Sequence, residues 1–176
     1  MRSLKVRQMV LASFYLALTQ ILPMFTGQIP QIGKMLAPMH LPVMLTGFTC
    51  SPWWALVVGL TAPPLRFVLF GMPPFPGYVA MSFELAAYGA VSGMLYQILP
   101  KKPVNIYLSL LGAMLGGRVV WGLAMLVIMS MNGKSFGLPA FLFGAFTGAI
   151  PGILLQLILV PAVVMLIEGK DRSTVL

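Results

Sequence analysis

Acidic side chains are almost missing from this chain. Its 176 residues include 3 Asp or Glu against 11 Lys or Arg, with one His and one Cys. Charged residues make up 8% of the total, where a soluble domain carries roughly 25%. The lone Cys50 excludes an intrachain disulfide and has no metal-ligand spacing around it. With one histidine and no cysteine cluster, no metal, redox centre or other cofactor is expected. No glycine-rich phosphate loop ends in a lysine, so the chain is not expected to hydrolyse ATP by itself. HExxH, GxSxG and a Ser-His-Asp set are missing as well, which speaks against an enzyme. No stretch is long and polar enough to form a soluble domain.

What fills the chain is apolar. Hydrophobic residues reach 59% and the mean hydropathy is +0.96. At about 20 residues per crossing, that length and composition predict an all-α membrane protein. A single integral membrane domain, 1–176, is expected to hold six spans near 4–22, 40–50, 53–70, 78–99, 106–131 and 138–167. The basic start Arg2, Lys5, Arg7 resembles a signal peptide, but the apolar run after it is too long, and it reads as the first span. The net charge of +8 follows the positive-inside bias. With both termini cytoplasmic, Arg2, Lys5, Arg7, Lys101, Lys102, Lys170 and Arg172 lie inside, and Lys34 and Lys134 outside. The proline-rich segment 23–38, the GMPPFPG loop 71–77 and the turn 132–135 then share the outer face. That face is expected to be the working one.

The intramembrane polar set singled out within the spans is small: His40, Arg66, Glu84, Arg118 and Gln156. Arg118 sits near the middle of the apolar run 110–129, where a charge costs at least about 2.5–3.5 kcal/mol. Its stripe includes Trp121, Gly122 and Met125, while Gly112 and Gly116 form a packing side of their own. Glu84 shares a stripe with Ala87, Tyr88 and Val91, about 140–180° from Gly89 and Gly93. Spaced glycines at Gly144, Gly148 and Gly152 extend the packing pattern into the last span. Arg66 and Glu84 lie at similar depth, roughly 6 and 9 Å from the outer ends of their spans. They are expected to form a structural ion pair. Arg118 is then left as an excess cation for an electron-rich ligand group; alternatively both arginines bond Glu84 and backbone carbonyls and serve structure alone. His40, Lys34, Asn132 and Trp121 are further ligand candidates at the outer mouth, and Gln156 reads as structural. Ser13 and Ala17, four apart with Ala12 beside them, offer a flat strip to another helix.

The order of features resembles the substrate-binding S components of energy-coupling factor (ECF) vitamin transporters. The carriers are LASFYLALTQILP, KMLAPMHLPVMLTGF, LVVGLTAPPLRFVLFGMPP, MSFELAAYGAVSGMLY and GGRVVWG, and they cover nearly the whole chain. The resemblance implies a prokaryotic, multi-pass cell-membrane subunit that binds a vitamin among spans 4–6 and has no catalytic activity of its own. Its implied partners are a membrane scaffold (T) subunit, met through Ala12, Ser13 and Ala17, and two cytoplasmic ATPases. An excess arginine favours an anion, with pantothenate first. A neutral pyridoxine-like vitamin comes second, with Trp121 and Tyr88 stacking on it and Glu84 bonding it. The other class to weigh is a stand-alone secondary carrier or channel, against which the lack of an inverted repeat and of paired intramembrane carboxylates counts.

Overall fold

A computed structural model describes residues 2–26 and 36–173, which are helical and contain no strand. Helix α1 (Arg2–Ile21) passes into a 3-10 turn at Leu22–Thr26. There follow α2 (His40–Thr49), α3 (Pro52–Phe70), α4 (Gly77–Ile98) and α5 (Pro103–Met131). The chain ends with α6 (Leu138–Ala145), a 3-10 turn at Thr147–Ala149 and α7 (Ile150–Ser173). The sequence suggested one continuous last span, 138–167, but the helix breaks at Phe146. Pro151 supplies the reason. A proline lacks the N–H that would bond back one turn, yet it fits the first turn of a new helix, where Pro151 stands in α7.

Among the described residues, four segments are long and apolar enough to cross a membrane: Leu4–Phe25, Pro52–Phe70, Pro103–Met131 and Ile150–Glu168. Helix α4 has the length, but its buried side carries Ser82, Glu84, Tyr88, Ser92 and Tyr96 and lowers its hydropathy. Helix α2 has 10 residues and spans only about 15 Å. Leu111, Leu115, Val119, Leu123 and Val127 of α5 all point outward, more than two-fifths exposed each. An apolar stripe of that extent suits lipid tails and would be an aggregation surface in water. Inside a bilayer, helices are the natural solution, because each satisfies its own backbone hydrogen bonds.

Helix α4 is the axis of the bundle, packed against α2 and α3 on one side and α5 on the other. Small residues let the backbones meet. A Cβ added at Gly59 of α3 would lie 2.4 Å from the Leu85 carbonyl, and one at Gly89 of α4 2.7 Å from the Ala55 oxygen. One at Gly47 of α2 would fall 2.6 Å from the Gly89 oxygen. The α4–α5 contact is looser. Gly112 faces the flexible Leu95 side chain, and the nearest atom to a Cβ at Gly116 would be 3.7 Å away. Gly117 is the tight position on α5, since it lies beneath the Tyr88 ring. Helix α7 packs on α2 and α5, where Val160 and Val164 join Met44, Phe48, Tyr88, Tyr96 and Leu110 in one core.

This packing predicts a sharp contrast between two glycines. Gly59→Val should lower stability by about 1–3 kcal/mol or more, because only backbone can yield. Gly116→Ala should stay within about 0.5 kcal/mol of the parent protein. Thermal unfolding in detergent measures both.

Candidate functional site

Glu84 occupies the second turn of α4 and is 3% exposed. Two other elements bring basic groups to one of its oxygens. Arg118 Nη1, from the middle of α5, donates to Oε1 at 2.8 Å. His40 Nε2, from the first residue of α2, lies 3.4 Å from the same Oε1, within ion-pair range but without hydrogen-bond alignment. Tyr88, one turn along α4, sets its ring edge-on to His40 with centroids 5.1 Å apart. The Arg118 guanidinium carbon lies 6.0 Å from the Tyr88 centroid, at the outer limit of a cation–π contact. Gly117 makes room for the Tyr88 ring, so the residue next to Arg118 fixes the aromatic neighbour of the charge.

All four side chains are buried, Arg118 being the most exposed at 7%. Taking Glu84 and Arg118 out of water is costly, and their mutual attraction and hydrogen bond offset that cost. Several polar atoms are left over. Tyr88 Oη, Arg118 Nε and His40 Nδ1 make no hydrogen bond among the described residues. Buried polar atoms are paired in the great majority of cases, so these three stand out as spare hydrogen-bonding capacity around one ion pair. The group can both accept, at Glu84, and donate, at Arg118 and Tyr88. Ala37 adds a local signature. It takes φ +46° just before His40, a left-handed conformation that costs a non-glycine residue about 1–2 kcal/mol. Its carbonyl accepts from the His40 N–H at 3.0 Å, which starts α2 at that point.

The expected Arg66–Glu84 pair does not form. Arg66 Nη1 donates to the Gln20 carbonyl at 2.9 Å, and its guanidinium carbon lies 4.9 Å from the Phe70 ring centroid. Gln20 is next to last in α1, so Arg66 meets the negative end of a helix dipole and needs no carboxylate. Gln20 Nε2 in turn donates to the Ala62 carbonyl at 3.1 Å and clasps α1 to α3 beside Pro63. Sequence reasoning overlooked Gln20; the polar pair Thr19-Gln20 inside an apolar run was its signal.

The other predicted contacts disperse. Trp121 turns away from the polar group into an aromatic nest, 5.9 Å from Phe136 and 6.3 Å from Phe141, with Gly144 beneath its ring. Asn132 is exposed and donates to the Ile128 carbonyl at 2.7 Å, so it caps α5. It stands about 21 Å along the helix from Arg118. Lys34 lies outside the described residues. In α1, Ser13 and Ala17 are exposed, whereas Ala12 is 2% exposed and packs with Met39, Val43, Val58 and Leu85. Ala12 therefore belongs to the core and not to an outward strip. Among the described residues, no three His, Cys, Asp or Glu side chains converge as a metal-ligand set would.

A family model described as "ECF transporter, substrate-specific component" matches residues 7–165. Neither the curated proteins nor the solved structures give a match to the chain.

The geometry predicts asymmetric effects of mutation. Glu84→Leu leaves Arg118 buried without its counter-ion and should cost about 3–5 kcal/mol, and Arg118→Met strands Glu84 likewise. The double variant Glu84→Leu with Arg118→Met should regain most of that loss. A double-mutant cycle of detergent melting curves reads the coupling, and additive single effects would show that the two charges are independent.

Proposed function

Because the chain belongs to the ECF transporter substrate-specific component family, we propose that it captures a small water-soluble vitamin at Glu84, Arg118, His40 and Tyr88. Members of this family are substrate-binding transport subunits and not enzymes, and they work with T and ATPase subunits. In this reading all six spans cross the cell membrane of a prokaryote. The short α2 serves as the second span, and α6 with α7 as the sixth. Both termini face the cytoplasm, as the distribution of Lys and Arg supports. The site opens outward, with Trp121 and α6 as its roof, and the domain extends over the whole of 1–176. Ser13 and Ala17 form the strip for the T subunit, since both are exposed on α1. Family membership favours such a subunit over a stand-alone carrier.

One observation bears most on the ligand: the Arg118 charge is already met by Glu84 at 2.8 Å. Arg66 is likewise satisfied at the end of α1. The excess cation that spoke for pantothenate is therefore absent from the buried group. A neutral aromatic vitamin of the pyridoxine type fits better, with its ring against Tyr88 and its hydroxyl groups on Glu84 and the orphaned donors. This reverses the order that the sequence suggested. Pantothenate would have to pull Glu84 away from Arg118.

Calorimetric titration of the purified protein with a vitamin panel should show pyridoxine binding in the nanomolar range and pantothenate at least about 100-fold weaker, near 2.7 kcal/mol. Tighter binding of pantothenate would restore an anion site. Ala17→Trp should leave vitamin affinity unchanged and abolish ATP-dependent uptake in cells that hold the partner subunits. Normal uptake by that variant would remove the α1 strip from the interface.

A further inference from the structure

Gln156 lies in the membrane-spanning part of α7 and is fully buried. Neither its amide nitrogen nor its amide oxygen has a hydrogen-bond partner among the described residues. The sequence pattern had marked it as structural, but a structural glutamine bonds something. On α7 it lies three residues after Ile153 and four before Val160, so it shares their side of the helix. Ile153, Leu157 and Val160 pack into the core that contains Met44 of α2 and Tyr88 of α4. Tyr88 is the residue common to that core and to the Glu84–Arg118–His40 group, and its own hydroxyl is also orphaned. Thr46, a buried polar side chain of α2, is already committed to the Pro42 carbonyl at 2.8 Å.

We propose that Gln156 is a ligand-recognition residue, which reads the substrate from the α7 side opposite Glu84. This rests on the vitamin-binding reading above. A primary amide presents a donor and an acceptor side by side in one plane. Its complement is a ligand edge with the same two functions adjacent: neighbouring hydroxyl groups on an aromatic ring, or a hydroxyl or amino group next to a ring nitrogen. The ligand therefore bridges α4 and α7 and supplies the partners that the empty bundle withholds from Gln156. A ligand that lacks such an edge leaves both amide atoms unpaired and is rejected, because the site has been built to bond it.

The test compares the full-length protein with Gln156→Leu in detergent, by melting without ligand and by calorimetric titration with pyridoxine and with pantothenate. Leucine keeps the volume and removes both orphaned atoms, so the ligand-free variant should melt a few degrees higher. Its affinity for the vitamin that the parent protein binds should fall about 10- to 100-fold, as expected for two lost hydrogen bonds. An unchanged or lower melting temperature would show that the amide has a partner within the chain and overturns the inference. An affinity unchanged by the substitution overturns it as well. If the parent protein binds neither vitamin, the ligand assignment above fails, while the melting comparison still decides whether Gln156 awaits an external partner.

Discussion

The contact between Glu84 and Arg118 is the constraint around which the bundle is arranged. Both charges are buried, and the carboxylate is the counter-ion that the arginine has. In a medium of low dielectric, neither could be kept without the other. This requirement fixes the rotation of α4 and of α5 about their axes, because each must turn one side chain to the other. Once they are fixed, the opposite side of α4 presents Gly89 and Gly93 to α2 and α3. The polar group and the glycine seam are thus two sides of one helix, and neither can shift without the other.

The two buried arginines are satisfied in different ways, and the difference bears on function. Arg66 meets a backbone carbonyl at a helix terminus, a partner of partial charge. Arg118 meets a titratable side chain that also lies next to His40. The first arrangement is an anchor between α1 and α3. The second is a set of side chains with hydrogen-bonding capacity left over at Tyr88 Oη, Arg118 Nε and His40 Nδ1. Under the proposed function, the balanced charge of this set favours an uncharged solute.

Much of the fold was legible in the sequence, because apolar length and helical period determine where helices lie. The bounds of α2, α3, α4 and α5 depart from the sequence-based spans by only a few residues. Arg118 and Glu84 stood out as buried charges for the same reason: each interrupts an apolar run. What periodicity withholds is the neighbour that each face meets. Depth along the helix matched Arg66 with Glu84, yet depth says nothing of azimuth, and Arg66 points at α1 instead. Trp121 shares a stripe with Arg118, but the aromatic neighbours Phe136 and Phe141 come from beyond the following turn, which helical period within one span does not show. Ala12 was grouped with Ser13 and Ala17 because small residues look alike in a sequence, and only packing tells an inward one from an outward one.

The glycine seam has a mechanical consequence. Where α2, α3 and α4 touch through backbone atoms, there is no side-chain layer to rearrange, so these helices form a stiff wall. Helix α7 meets α2 and α5 through the rotatable side chains of Leu157, Val160 and Val164 and is joined to α6 by a break in the helix. That wall is compliant. In the proposed binding role, the α7 side is therefore the one that can yield to a solute, while the glycine-packed side that carries Glu84 keeps its shape.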